Sequence, residues 1–326
     1  MDTYQINVQN SEVKVSCFLI HYRFGRMEFT MGKRLGRKRR ERIETIVFTI
    51  PAILLVTIMI YIPFIMSGYY SLTEWNGIAK EAKFIGLDNF KALFSGNKEF
   101  INAISFTLRY TLVFLIFVNI FALALAVILV KKMKLSNLFR GVFFIPYIMS
   151  MTIVGFIWKF IFSQGFSSLY KITNWDVFNL SWLGDTKLVF FSVVFVGIWQ
   201  SVGFYMVLYI AGLQSISKDI LEAATVDGAS GRATFFRITL PLLIPSIITC
   251  VFMSLTNALK VFDIILALTK GGPGGSTYSV TLDIYREAFQ NNNYGLGSAK
   301  SVVFFIMVLV LTQLVLKGLR SKEVDL

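Results

Sequence analysis

Six apolar stretches, each about 20 residues long, occupy much of this chain. A helix rises about 1.5 Å per residue, so about 20 apolar residues cross the roughly 30 Å hydrocarbon core of a bilayer. Because the backbone polar groups of such segments must be satisfied internally, they fold as helices. We therefore predict an all-α polytopic membrane protein with six transmembrane helices. The predicted spans are 46–65, 110–130, 141–162, 188–212, 242–268 and 299–316.

Composition agrees with this prediction. Hydrophobic residues make up 55% of the chain and charged residues only 16%, a balance under which a soluble chain of this length would aggregate. Pro51, Pro146 and Pro245 fall inside predicted spans, where neighbouring helices can satisfy the backbone groups that proline frees. We expect kinks at these three positions.

The net charge of +13 can indicate nucleic-acid binding, but the placement of the charge favours another explanation. A dense basic cluster immediately precedes the first span, where it would anchor the chain in an anionic leaflet. Membrane lipids, and not nucleic acid, are therefore the expected partner of this cluster. Its members are Lys33, Arg34, Arg37, Lys38, Arg39, Arg40 and Arg42.

Basic residues also indicate the orientation of the spans. The connection between the second and third spans carries Lys131, Lys132, Lys134 and Arg140 with no acidic residue, whereas alternate loops mix both signs. The positive-inside rule then places both termini in the cytoplasm. We divide the chain into a basic cytoplasmic tail, 1–42, and a transmembrane domain, 43–326. For residues 1–30, an upstream start and an ordered extra strand both remain open.

Catalytic chemistry is missing from the sequence. His21 is the single histidine, Cys17 and Cys250 are far apart, and no G-x-x-x-x-G-K-[ST] phosphate-binding loop occurs. We therefore predict no catalytic residue, no metal site and no cofactor in this chain. Any energy-supplying chemistry has to come from partner proteins.

A charged interval separates the fourth and fifth spans, and the predicted orientation places it in the cytoplasm. Ala223 and Asp227 are spaced i, i+4, so a short helix here would present a nearly bare face to another protein. Ser217 or Asp219 would cap its start, Asp219 as a capping box with Glu222, and Gly228 would end it. The alternative is a capped surface helix without a docking role.

The residues of this interval resemble a known motif. Glu222-Ala-Ala, Asp227-Gly-Ala and Leu240-Pro241 are similar to the cytoplasmic EAA loop of the membrane permease subunits of binding-protein-dependent ABC importers. The stretches 84–90 and 268–273 resemble the carbohydrate-uptake branch of that family, which includes permeases for maltose, oligosaccharides and glycerol phosphate. Together the matches cover roughly residues 45–316.

The resemblance implies a function and a set of partners. The loop 214–241 would couple the chain to an ATP-hydrolysing subunit through Glu222, Ala223, Ala224, Asp227, Gly228 and Ala229. A second homologous permease subunit, two ATP-binding subunits that hold ATP and Mg, and an extracytoplasmic solute-binding protein would complete the importer. It would lie in a bacterial-type cytoplasmic (inner) membrane and carry a sugar or oligosaccharide, with no enzymatic activity in this chain.

Polar residues within the spans are the candidates for the substrate pathway. Lys260 and Asp263 are three residues apart on one face of the fifth span, with Asn257 one turn earlier, and each charge costs about 2.5–3.5 kcal/mol at mid-membrane. They either line a water-filled translocation cavity or form a Lys260–Asp263 pair that locks the helix in place. Three residues of the fourth span are expected near the same depth: Gln200, Phe204 and Tyr205.

Two rival functions remain at this point. A secondary transporter or channel subunit without ATPase partners would need ion-relay residues on several spans, and we find deep charges only on the fifth. A membrane scaffold without transport would leave Lys260 and Asp263 unexplained. Outside the spans, Leu87, Phe90, Leu93 and Phe94 recur at helical spacing and predict an amphipathic helix on the outer surface, compatible with packing on neighbouring spans.

Overall fold

The computed structural model describes residues 37–96, 98–131 and 134–320, with side chains from residue 41 onwards. The expectations for residues 1–30 lie outside the described residues, as do Lys33 and Arg34 of the basic cluster. The chain divides into two compact units, the first ending at Met66 and the second beginning at Ser67, and each is considered by itself.

The N-terminal helix is longer than the predicted first span. Helix α1 (Arg37–Val56) continues through a π-helical turn, Thr57–Tyr61, into α2 (Ile62–Tyr70). The stretch 41–70 is apolar and long enough to cross a membrane as one helix. It begins within the basic cluster and not after it. Pro51 does not break it, and the π-helical turn follows about one and a half turns later.

Loop elements and further helices follow in chain order. They are β1 (Thr73–Glu74), β2 (Lys83–Phe84), α3 (Asp88–Ser95), α4 (Lys98–Leu129), α5 (Ser136–Ile148), α6 (Met151–Phe160), α7 (Phe166–Thr173), α8 (Leu188–Ser215), α9 (Lys218–Val226), α10 (Gly231–Thr234), α11 (Leu240–Leu242), α12 (Ile244–Leu259), α13 (Asp263–Leu268), α14 (Val280–Tyr285) and α15 (Tyr294–Arg320). π-Helical turns lie at Ile161–Gly165, Phe235–Thr239 and Arg286–Gln290.

Helices α4, α8 and α15 are each long and apolar enough to cross a membrane. They contain the predicted spans at 110–130, 188–212 and 299–316 to within one residue. Helix α4 starts twelve residues before the predicted span. Its first turns bury Phe100 and Phe106, but the interspersed Lys98, Glu99 and Arg109 hide this from a count of apolar residues.

The third and fifth spans are bent, in agreement with the kinks predicted at Pro146 and Pro245, but their bounds differ from the predicted 141–162 and 242–268. Helices α5 and α6 meet at a 96° bend, and the α10–α11 segment meets α12 at 66°. The bend in the third span comes shortly after Pro146. In the fifth span, Pro245 stands in the first turn of α12, where its missing N–H costs no helical hydrogen bond. Each bent pair is apolar enough to count as one broken span.

The packed core of the second unit lies where α4, α8 and α12 meet. Helix α5 also packs closely on α8. The two helices are so close at Gly203 that a Cβ there would lie 1.9 Å from the Phe143 carbonyl oxygen. The Tyr209 hydroxyl donates to Asn119 Oδ1 at 2.7 Å, and Asn119 Nδ2 donates to Ser254 Oγ at 2.9 Å. This partly buried chain of hydrogen bonds joins one residue from each of the three helices.

The predicted amphipathic helix is present as α3. Leu93 is fully buried and joins a core cluster with Phe100 and Val280, whereas Leu87 and Phe94 remain exposed. Asn89 Nδ2 donates to the backbone carbonyls of Ser71 and Thr73, each at 2.9 Å. The helix is therefore fixed to the neighbouring loop and spans on one side and presents apolar side chains on the other.

Candidate functional site

The loop between α8 and α12 begins with the capped helix α9. Ser217 is the N-cap, and its Oγ accepts a hydrogen bond from the Asp219 backbone N–H at 3.2 Å. Of the two caps that the sequence allowed, the structure thus has Ser217. Asp219 lies in the first turn, where a carboxylate is stabilised by the N-terminal end of the helix dipole.

Helix α9 ends in a Schellman motif. Gly228 has φ +74°, its N–H donates to the Thr225 carbonyl at 3.1 Å, and the Ala229 N–H donates to the Ala224 carbonyl at 3.0 Å. Within the described part of the chain, a Cβ at Gly228 would meet no atom within 4 Å. Gly228 therefore ends the helix as predicted.

The exposed surface of this loop differs in one respect from the predicted bare face. Ala224 is only 5% exposed and packs inward, and Ala229 is half-buried. Val226, 88% exposed, was not among the predicted residues. We call the exposed set the α9 face; its members are Glu222, Ala223, Val226, Asp227 and Gly228.

The fifth predicted span breaks at Lys260, which corrects the expectation that Lys260 and Asp263 share one face of a continuous helix. Helix α12 ends at Leu259, and α13 starts at Asp263. The Val261 carbonyl, freed by the break, accepts hydrogen bonds from the hydroxyls of Ser279, at 2.9 Å, and Thr281. Side chains thus replace the missing helical donors, as a break at membrane depth requires.

A cavity of about 240 Å³ lies at this break. Its polar lining consists of Tyr110, Ser201, Asn257, Lys260 and Asp263, and its apolar lining includes Phe114, Met151 and Phe262. Lys260 and Asp263 are both exposed to it. Across the described ranges, neither side chain makes an ion pair or a hydrogen bond, so the alternative of a Lys260–Asp263 lock is not what the structure has.

Helix α13 holds one wall of the cavity by packing closely on α6. A Cβ at Gly155 would lie 2.6 Å from the Ala267 Cβ, so the two short helices touch through small residues. Both follow a break in their span. The cavity is consequently built where two broken spans meet against α4 and α8.

The three candidates on the fourth span differ in their position relative to the cavity. Asn257 Nδ2 donates to the Tyr205 hydroxyl at 3.2 Å, so the buried Tyr205 supports a cavity residue from behind. Gln200 is buried, donates to the Tyr147 carbonyl at 3.4 Å and accepts from Ser201 Oγ at 3.0 Å. Phe204 stacks on Tyr147 at 4.5 Å. Gln200 and Phe204 therefore do not reach the cavity wall.

A buried charge cluster at the start of α15 escaped the sequence analysis. Lys300 Nζ lies 2.9 Å from Asp283 Oδ2 and 2.7 Å from Glu287 Oε2, and the Lys300 side chain is 0% exposed. Burial raises the pKa of Asp283 above its usual range, while Lys300 works against that rise.

The fold and cavity define a polytopic helical membrane protein with a polar chamber between broken spans, the architecture of a transport subunit. A family model described as "Binding-protein-dependent transport system inner membrane component" matches residues 118–317. Because this match covers more than half of the chain, the protein belongs to that family. It is therefore an inner-membrane component, and the predicted resemblance to ABC importer permeases is confirmed.

Curated relatives and a solved structure agree with this assignment. The chain is 36% identical over 279 residues to a probable starch degradation products permease, AmyD, of Thermoanaerobacterium thermosulfurigenes, covering 86% of this chain and 94% of the relative. It is 33% identical to the trehalose/maltose permease MalF of Thermococcus litoralis, covering 86% and 95%. A bacterial importer of the acidic polysaccharide alginate has the same fold, with a TM-score of 0.74 at 23% identity over 86% of this chain and 96% of that one.

Proposed function

We propose that this chain is a membrane subunit of an ATP-driven importer and that the cavity at Asn257, Lys260 and Asp263 carries a sugar or oligosaccharide across the membrane. The relatives' names refer to starch products, multiple sugars and trehalose or maltose. The observation that carries the proposal is that Lys260 and Asp263, which have no partner among the described residues, line a cavity inside a broken span together with the Asn257 amide. Hydroxyl-rich substrates offer hydrogen bonds to all three.

The same proposal assigns the partners. A second homologous permease subunit would close the cavity on its open side, and an extracytoplasmic binding protein would deliver the substrate. Two ATP-binding subunits would hold ATP and Mg and receive the α9 face. ATP-driven motion of these subunits would move α9 as a rigid lever and change the side to which the cavity opens.

Replacing the cavity residues is expected to lower uptake. Lys260→Met and Asn257→Ala each remove a hydrogen-bonding partner of the substrate, a loss that corresponds to roughly a tenfold slower uptake when the bond involves a charge. Uptake of radiolabelled maltotriose into proteoliposomes that contain the assembled importer measures this. Lys171→Met, which removes an exposed cation on α7, is the matched control and should transport normally.

The double variant Lys260→Met with Asp263→Leu separates a pathway from a structural pair. If both charges serve substrate, the double variant transports no better than either single variant. Wild-type uptake by the double variant would remove both residues from the pathway. Uptake that persists without ATP in the wild type would instead support the rival secondary transporter.

The orientation of the chain is also part of the proposal, with both termini, α9 and the α4–α5 connection in the cytoplasm. In a Cys17→Ser background, the remaining Cys250 is buried. We expect a membrane-impermeant maleimide to label Asn291→Cys in intact cells and Lys134→Cys, on the α4–α5 connection, only after the cells are opened. Both positions are exposed and have ordinary backbone angles. The opposite labelling pattern would reverse the orientation and exclude α9 as the ATPase contact.

A further inference from the structure

A continuous row of aromatic rings runs along the second unit from the end of α2 to the cavity. Successive ring centroids lie 4.2, 5.2, 6.1, 5.6 and 5.4 Å apart, distances at which aromatic rings contact one another. We call this row the aromatic ladder; in spatial order its members are Tyr70, Trp75, Tyr294, Phe289, Tyr285 and Phe262.

The ladder ends in the proposed translocation cavity, because Phe262 is one of its lining residues. Its other end lies at the end of α2 and in the loop before α3, and α15 holds that loop in place. The Trp75 carbonyl accepts from the Gly295 N–H at 2.9 Å, and a Cβ on Gly295 would lie 2.1 Å from the Thr73 carbonyl oxygen. These backbone contacts hold the Trp75 end of the ladder against α15, while Phe262 lies at the cavity end.

The rings of the ladder are not a closed core. Phe289 is 64% exposed, and Tyr285, Tyr294, Trp75 and Phe262 are half-buried. From Trp75 to Phe262 the neighbouring planes are inclined at 40° to 86°, so no ring fully covers the face of the next. Phe289 stands on the π-helical turn Arg286–Gln290, a local distortion that is frequent at functional sites.

Exposed amides border the exposed part of the ladder. Gln290, Asn291 and Asn292 follow Phe289 directly in the chain and are all exposed. The negative face of an aromatic ring attracts the C–H groups on the apolar face of a pyranose, while amides bond its hydroxyls. Aromatic faces with neighbouring amides form a surface suited to a sugar, and lipid would make no use of the amides.

We propose that the aromatic ladder is a carbohydrate-binding track that receives a pyranose near Phe289 and guides it past Tyr285 and Phe262 into the cavity. The track rests on the proposed function, since it presumes that the cavity carries sugar. It adds a binding surface outside the cavity and names its ligand as pyranosides with an exposed apolar ring face. An importer of small anions would have no use for it.

Saturation-transfer difference NMR tests the track directly. The full chain in nanodiscs, alone and within the assembled importer, is titrated with maltotriose and with trehalose while aromatic protons are irradiated. We expect saturation of the pyranose ring protons in both preparations. Phe289→Leu with Tyr285→Leu should raise the apparent Kd about two- to tenfold, the effect of losing one or two aromatic contacts. The matched control, Phe121→Leu, removes an exposed ring of α4 outside the ladder and should leave the Kd unchanged.

The saturation-transfer measurement tests sugar binding to the ladder independently of transport. The cavity variant Asn257→Ala is expected to keep the saturation transfer even where it slows uptake, so failure of the proposed function and failure of the ladder give different results. An unchanged Kd in the double variant, with melting like that of the wild type, overturns the track. Loss of the signal on assembly also overturns it, because a partner subunit then covers the rings.

Discussion

Replacing Lys300 with methionine is expected to lower the melting temperature of the protein by on the order of 10 °C, corresponding to about 3–5 kcal/mol of lost stability. Lys300 is fully buried between two carboxylates, at 2.9 Å from Asp283 and 2.7 Å from Glu287. Methionine fills similar space but leaves both acids without a cation. Intrinsic tryptophan fluorescence of the purified chain in detergent measures the transition.

The control removes the acids together with the lysine. Because breaking a buried ion cluster costs more than replacing it by apolar residues of similar volume, Lys300→Met with Asp283→Leu and Glu287→Met should melt near the wild type. A single Lys300→Met variant that melts like the wild type would show that the cluster does not hold α14 to α15.

The stability loss in Lys300→Met should also depend on pH. Burial already raises the pKa of Asp283, and removing the opposing lysine raises it further. A carboxyl whose folded pKa exceeds its unfolded value contributes stability that is fully present below the unfolded pKa and is lost as the pH rises through the folded pKa. The gap in melting temperature between variant and wild type should therefore be smaller at pH 5 than at pH 8. A gap independent of pH would contradict this account.

The helical architecture and the charged loop could be predicted from the sequence because each depends on residues that are close together in the chain. Apolar stretches of membrane length predict the spans, and Gly228 predicts the end of α9 since it tolerates a positive φ. The break after Leu259 could not be read in this way. It is completed by the hydroxyls of Ser279 and Thr281, which lie in a different element some twenty residues further along.

The buried cluster and the placement of the fourth-span residues were hidden for a related reason. Lys300 stands at the edge of an apolar stretch, where lysine usually reaches water, and its partners lie in a loop helix without a shared periodicity. Ser201, which the sequence analysis did not name, is the chain neighbour of Gln200 and lies at nearly the same depth of the helix. Only the rotation of α8, set by its packing on α4 and α5, directs Ser201 to the cavity and Gln200 to the Tyr147 carbonyl.

The second large effect is expected on coupling. Gly228→Arg should lower ATP-driven uptake at least about tenfold, equivalent to about 1.4 kcal/mol of lost docking energy, while the chain still folds and inserts. A Cβ at Gly228 meets no atom of the described residues within 4 Å, so an arginine there projects outward from the α9 face that is proposed to contact the ATPase. Uptake and ATP hydrolysis by the assembled importer in proteoliposomes measure the loss.

Gly228→Ala is the matched control, because it isolates the backbone contribution of the substitution. At φ +74° any L-residue is strained by about 1–2 kcal/mol, and alanine and arginine share this strain. Neither Cβ meets an atom of the described residues within 4 Å. Uptake near that of the wild type in Gly228→Ala, with loss in Gly228→Arg, assigns the effect to the side chain that blocks docking.

Glu222→Lys, which reverses a charge on the same face without backbone strain, should likewise uncouple uptake from ATP hydrolysis. If Gly228→Arg and Glu222→Lys both transport normally, the α9 face does not contact the ATPase.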